Sequence, residues 1–282
     1  MAIATYSPVY LDRFLPSPYR HRRDRFNSPI EFDIQPVSDR ATASLVLRHV
    51  GESFFEGCRL DQFVARNLND LALEPAPAID SVSPSSSRIV TTWQVVSARG
   101  ELIGGMVVNF YTWDHLKRSL YFSRRDEHQA QPGEIAVRPI GSLVSSRLQP
   151  TEEPVAAIEL AYFSVVERYR GLGIGRELFA RFVRQVVGAQ RQPTFCFTIV
   201  KARYATTGLG DRLMKHLLRQ GPDQASSAVE LSPFVNELHL PRDLFAADRA
   251  AIPTAKLAER AGWTPIGYGR HLGEVWAGIV SA

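Results

Sequence analysis

Residues 159–184 read Glu-Leu-Ala-Tyr-Phe-Ser-Val-Val-Glu-Arg-Tyr-Arg-Gly-Leu-Gly-Ile-Gly-Arg-Glu-Leu-Phe-Ala-Arg-Phe-Val-Arg. The first part is an apolar strand. Arg170, Gly171, Gly173 and Gly175 make a tight turn after it, and Leu178, Phe179, Phe182 and Val183 follow at the spacing of one helix face. Glycines let the backbone come close to a ligand, and the first N–H groups of a helix lack carbonyl partners and point outward with the dipole behind them. The turn is therefore where this chain is expected to bind a phosphate.

Spacing excludes two other phosphate-binding loops. A dinucleotide fingerprint, Gly-x-Gly-x-x-Gly, counted from Gly171 needs glycine where Arg176 stands, and a P-loop needs Gly-Lys-Ser/Thr, which the turn lacks. The pattern Arg170-x-x-Gly173-x-Gly175 resembles that of the Gcn5-related N-acetyltransferase (GNAT) superfamily, Arg/Gln-x-x-Gly-x-Gly/Ala after the fourth strand. A second segment, Ala255-Lys-Leu-Ala-Glu-Arg-Ala-Gly-Trp263, resembles the family's late helix, which ends in Gly-Phe before the closing strands, with Trp263 in the Phe place. Read by itself it is a short helix stopped by Gly262, followed by strands over Thr264–Tyr268 and Glu274–Val280.

The resemblance implies an α/β fold: a mixed, mainly antiparallel twisted sheet flanked by helices. It also implies acetyl-CoA or another acyl-CoA as co-substrate, with no metal. Carried over by position, Ser164, Val165 and Val166 supply main-chain contacts to the pantetheine arm. Arg170, Gly171, Leu172, Gly173, Ile174, Gly175 and Arg176 hold the pyrophosphate through backbone N–H groups, with Arg170 and Arg176 adding charge. A bulge in the strand before the loop opens the slot for that arm.

Acyl transfer to an amine needs the amine uncharged, and a lysine-like amine with a pKa near ~10.4 must lose a proton at neutral pH. Glu159 is the candidate base. It is the one carboxylate in the apolar run Val155–Val166, with Ala157, Ala161 and Phe163 as its period-2 neighbours and Tyr162 on the opposite face. Burial there is expected to bring its pKa toward the useful range; the competing reading is a structural carboxylate paired with an arginine. Relatives carry a thiolate-protonating tyrosine on the late helix, where this chain has Ala258. Tyr204, Tyr268 and His271 are the substitutes, or the thiolate, whose thiol has a pKa near ~8.5, leaves unaided. No two histidines stand at i, i+4, so no metal site is expected.

The resemblance makes the chain an N-acyltransferase acting on a small-molecule or protein amine by direct attack in a ternary complex. The alternatives are an acyl-carrier-protein-dependent acyl-amino-acid or homoserine-lactone-type synthase, and a non-catalytic acyl-CoA-binding module.

Composition agrees with a globular enzyme: of 282 residues, 45% are hydrophobic, enough for a large core. A net charge of +4 is too small to argue for nucleic acid but suits an anionic cofactor. Cys58 and Cys196 are the two cysteines, stand far apart, and read as reduced core residues of a cytoplasmic protein. No signal-peptide or bilayer-length apolar run is present, so no membrane partner is expected; a homodimer stays open.

Residues 1–30 form an arm rich in Arg, Pro and Tyr, and 31–282 the acyltransferase domain with insertions at 113–153 and 201–250. Within the domain the expected order is a strand Phe32–Pro36, a helix capped by Ser38, and a second helix Leu60–Leu73. A hairpin of Ile89–Ser97 and Leu102–Thr112 follows, in which Gly104 and Gly105 mark a bulge or a close approach. The first insertion is expected to hold a helix and an extended return through Ile135–Val144. Thr194–Val200 is expected to be a fully buried strand, and 201–250, with a helix near 210–220, an acceptor wall.

Overall fold

The computed structural model describes residues 31–75, 77, 88–124, 135–200, 253–269 and 273–280. The arm 1–30, the insertion 201–250, Tyr204 and His271 lie outside them. In chain order the strands are β1 (Phe32–Pro36), β2 (Ile89–Ser97), β3 (Leu102–Thr112), β4 (Leu120–Arg124), β5 (Ile135–Pro139), β6 (Ala156–Val165), β7 (Thr194–Val200), β8 (Thr264–Tyr268) and β9 (Glu274–Val280). The helices are α1 (Arg40–Gly51), α2 (Cys58–Asn69), α3 (Trp113–Leu116), α4 (Ile140–Arg147), α5 (Ile174–Arg181) and α6 (Pro253–Arg260). The described residues fall into two compact units, one built from 31–75, 77, 88–112, 154–196 and 280, the other from 113–124, 135–153, 197–200, 253–269 and 273–279.

In the first unit the strand order is β1-β2-β3-β6, every neighbour antiparallel. The β2–β3 hairpin turns over 98–101, as the sequence predicts, with the Ser97 N–H donating to the Glu101 carbonyl at 2.9 Å. One face of β3 carries α1 and α2: Val46, Leu47 and Val50 of α1 and Phe63 and Val64 of α2 are buried in one cluster with Val107. Gly105 explains why glycine interrupts this strand. A Cβ there would stand 2.7 Å from Val46 Cγ1 and 2.9 Å from the Trp93 carbonyl oxygen, so the helix approaches the strand too closely for a side chain. A register shift lies beside it, between Val95 and Val96. The helix face predicted after the glycine turn is buried throughout, Leu178, Phe179, Phe182 and Val183 each being at most 1% exposed. The chain past Arg181 winds more widely, as a π-helix over Phe182–Val187.

Two boundaries differ from the sequence expectation. The N-cap of α1 is Asp39, not Ser38, because its carboxylate reaches the Thr42 N–H at 2.8 Å. Helix α2 stops at Asn69, not Leu73. The Val90 N–H donates to the Asp70 carbonyl, Arg88 Nη2 donates to the Asp70 carboxylate at 2.8 Å, and Leu71 bridges to Val90, so the chain is drawn onto β2 as an extended piece.

In the second unit the order is β9-β8-β4-β5, again antiparallel. The expected extended return through Ile135–Val144 is strand only as far as Pro139; Ile140, Leu143 and Val144, at i, i+3, i+4, turn it into α4 and bury that face. The late helix α6 ends where predicted, with Gly262 at φ 78°. Trp263 is 2% exposed and lies against Gly278 of β9, where a Cβ would stand 2.8 Å from the indole ring.

Candidate functional site

The site lies within the first unit, on β6 and the loop that leaves it. At the strand's end the Val166 N–H donates to the Ile103 carbonyl of β3 at 2.9 Å. Successive strand residues turn their polar groups to opposite edges, so the N–H and C=O of Val165 point away from β3. The Val165 carbonyl accepts from Arg170 Nε at 3.0 Å. Arg170 thus fastens the loop to the strand end.

After a 3₁₀ turn over Glu167–Tyr169 the loop passes through Gly171 at φ 81° and Gly173 at φ 89°. Gly173 is the N-cap of α5, and no side chain caps this helix. Among the described residues, a Cβ on Gly171 would meet nothing within 4 Å, and one on Gly173 only the tip of Arg176 at 4.0 Å. At Gly175 a Cβ would touch the Phe163 ring at an ordinary 3.6 Å. The fold itself therefore does not require the glycine at 175, and among the described residues nothing stands over Gly171. An uncapped helix start, left-handed glycines and two arginines are the donor set a pyrophosphate needs. Ile174, fully buried, anchors the loop from below, while Leu172 is half-buried and Arg176 exposed. Further along the helix, Arg184 Nη2 and Arg181 Nε donate to Oε1 of the buried Glu177 at 2.9 and 3.3 Å.

Glu159 sits opposite Asn109 of β3. Its Oε2 accepts from Asn109 Nδ2 at 2.9 Å and from the Tyr111 hydroxyl at 2.7 Å, and Asn109 Nδ2 also donates to the Tyr111 oxygen at 3.1 Å. Asn109 and Tyr111 were not predicted. The available signal was an asparagine in the otherwise apolar run Ile103–Phe110.

The face of β6 on which Glu159 lies differs from the alternation expected. Val107 pairs with Tyr162 but Val108 with Leu160, which leaves Ala161 as an extra residue in β6. This bulge reverses the parity of the strand beyond it. Tyr162, expected on the opposite face, joins Glu159 on the side of α1 and α2, and Phe163, expected beside Glu159, turns to α5. Tyr162 packs edge-on to Phe54, Phe63 and Phe55, with ring centroids 5.2, 5.1 and 5.9 Å away. Burial first, and the Glu159 charge second, push its hydroxyl above the usual tyrosine range. Ser164 faces the same way and shares a 2.5 Å hydrogen bond with Ser53, tying the α1–α2 loop to β6.

Strand, bulge, glycine turn and helix stand in the order that the resemblance implies, as do the late helix α6 and the strands β8 and β9. The strands are mainly antiparallel and flanked by helices, as that resemblance implies. No family model and no curated protein matches the sequence at a significant level. Among solved structures, the chain is similar to a protein described as a GNAT-family acetyltransferase from Desulfovibrio desulfuricans, at 12% identity over 88% of this chain and 98% of that one, with a TM-score of 0.40. It is similar to Arabidopsis thaliana NAA60 in complex with acetyl-CoA, at 12% identity over 89% and 100% of the two chains and a TM-score of 0.40. A tandem GNAT protein from the clavulanic acid biosynthesis pathway gives 13% identity over 83% and 67%, with a TM-score of 0.31. Likenesses this distant assign neither substrate nor activity.

Of the other residues singled out from sequence, Ala258 is fully buried in α6 and Tyr268 is 7% exposed in β8. Among the described residues no group of His, Cys, Asp and Glu is placed to hold a metal. Cys196 is buried as expected, but Cys58 is exposed, because it opens α2 on the side away from the sheet while Leu60, Phe63 and Val64 take the buried face. Burial pushes the Cys196 thiol far above the ordinary cysteine range. Treatment of the native protein with a maleimide between about pH 7 and 9 should therefore modify Cys58 alone, with Cys196 reacting only after denaturation. Peptide mass mapping reads the result, and native labelling of Cys196 would contradict its burial.

Proposed function

We propose that the protein is an acyl-CoA-dependent N-acyltransferase that moves an acetyl or longer acyl group to a primary amine. The observation that carries this reading is the placement of a single hydrogen-bonded carboxylate, Glu159, on the same strand whose end runs into the open glycine turn. From Val165 back to Glu159 the strand rises about 20 Å, the scale of an extended pantetheine arm. A pyrophosphate over Gly171–Arg176 and an acyl group beside Glu159 are then compatible with one bound molecule.

When bound, the CoA thioester supplies the activated acyl carbon. The protein's part is to hold and to take a proton. Backbone N–H groups of Gly173, Ile174, Gly175 and Arg176 bind the pyrophosphate, with Arg170 and Arg176 adding charge. Main-chain groups of Ser164, Val165 and Val166 line the arm. Glu159 accepts the proton of the acceptor amine, directly or through one water, leaving its nitrogen able to attack within a ternary complex. The family's late-helix tyrosine position is Ala258, and in this reading the thiolate, whose thiol has a pKa near ~8.5, leaves unaided. The amine itself is a small molecule or a protein group.

A second reading, an acyl-CoA-binding module without turnover, is favoured by Ala258, which offers no proton. One experiment separates the two. Native mass spectrometry of the purified protein should find co-purified CoA species, and acetyl-CoA with benzylamine, spermidine, a lysine-containing peptide and a peptide with a free N-terminus should release free CoA with at least one of them. CoA binding without turnover would favour the module, and no CoA binding would end both readings.

A further inference from the structure

We infer that Asn109 and Tyr111 are positioning residues for Glu159: together they occupy Oε2, so that Oε1 is the oxygen presented to the acceptor's proton. The inference rests on the reading of Glu159 as the base. Both hydrogen bonds fall on Oε2, at 2.9 and 2.7 Å, and Oε1 takes neither. The donor arithmetic fixes the direction of each bond. A carboxylate oxygen only accepts, so the single hydrogen of the Tyr111 hydroxyl goes to Oε2; that oxygen and the Tyr111 oxygen, 2.7 Å apart, stand too close together for the two diverging hydrogens of Asn109 Nδ2 to serve one each, so one N–H is shared between them at 2.9 and 3.1 Å.

The cost of the arrangement shows that it is not packing alone. Asn109 is 4% exposed, and its Oδ1 is buried without a hydrogen-bond partner among the described residues. A buried acceptor left unpaired is unfavourable, and a valine or leucine would suit the apolar strand around it better. The amide nevertheless turns its donor side to the carboxylate and leaves its own oxygen unserved. The partners of Glu159 are also neutral. An arginine or lysine in their place would cancel the charge and compete with the incoming amine, whereas two neutral donors orient the carboxylate and leave its charge in place. The register supports this, since Asn109 and Glu159 are direct cross-strand neighbours and Tyr111 is two residues along on the same face of β3.

In the step served, one N–H bond of the acceptor breaks, one O–H bond forms on Oε1, and the nitrogen keeps its electron pair for the acyl carbon. Loss of the Tyr111 hydroxyl removes a donor to the charged carboxylate and frees it to rotate. With acetyl-CoA and the fastest amine of the panel, Tyr111→Phe should lower kcat about tenfold, with CoA affinity unchanged and acceptor KM within about twofold. It should move the acidic limb of the pH–rate profile to higher pH, because the charged form has lost a hydrogen bond. In the Glu159→Gln background the same substitution should add no further loss, since Tyr111 acts through the carboxylate. Should Tyr111→Phe lose its circular dichroism signature, Asn109→Thr gives the same readouts. A Tyr111 variant with the parent's rate and limb, or a full additional loss on top of Glu159→Gln, would overturn the positioning role while leaving Glu159 as base. A Glu159→Gln protein with unaltered rate, or a parent that acylates no amine, would remove the base reading and this inference with it.

Discussion

Replacing Glu159 by Gln should lower kcat about a hundredfold, abolish the acidic limb of the pH–rate profile, and leave CoA binding unchanged. Glutamine keeps the volume and the strand position but cannot take a proton. Its amide can still face Asn109 and Tyr111 through its oxygen, so the neighbourhood need not rearrange. The loss should therefore appear in the chemical step and not in folding or donor affinity. Stopped assays across pH, with calorimetric titration of CoA, provide the check. If the limb survives in the variant, another group takes the proton and Glu159 is a structural carboxylate.

The parts of this fold legible in the sequence are those governed by local physics. The glycine turn and the helix after it were visible because left-handed backbone at Gly171 and Gly173 and a 3.6-residue apolar spacing leave marks in the residues themselves. The late helix and its Gly262 stop were legible for the same reason. What failed depended on pairing. Nothing in Leu160-Ala161-Tyr162 announces that Ala161 is the extra residue opposite β3, yet that one residue decides that Tyr162 shares a face with Glu159 and that Phe163 does not. Asn109 and Tyr111 were missed because their role comes from a partner about fifty positions away. Cys58 was misplaced although Glu56, Arg59 and Asp61 around it are charged: it opens α2 on the face opposite Leu60, Phe63 and Val64. Helix ends shifted where a side chain outside the helix period competed, as Asp39 did with Ser38 and Asp70 with the continuation of α2.

Gly173→Asp should weaken CoA binding by at least about 1.4 kcal/mol, a factor of ten, in a protein that remains folded. Two effects have to be weighed. The left-handed backbone at φ 89° disfavours any side chain, but aspartate is among the residues that tolerate that region best, and its Cβ would enter open space with only Arg176 Nη2 nearby at 4.0 Å. The fold should therefore survive with a modest loss of stability. Affinity suffers more. The new carboxylate stands at the N-terminus of α5, where it occupies the volume of the pyrophosphate, takes up the same N–H groups and neutralises Arg176. Gly173→Asn separates the causes, since it carries similar bulk and backbone strain without charge. It should bind CoA more tightly than the aspartate variant, and the gap between the two should narrow as salt screens the repulsion. Calorimetric titrations at low and high ionic strength, with thermal melts to confirm folding, measure all three proteins. Parent-like CoA affinity in a folded Gly173→Asp protein would mean that the phosphate does not sit on this turn, and the acyltransferase reading built on it would fall.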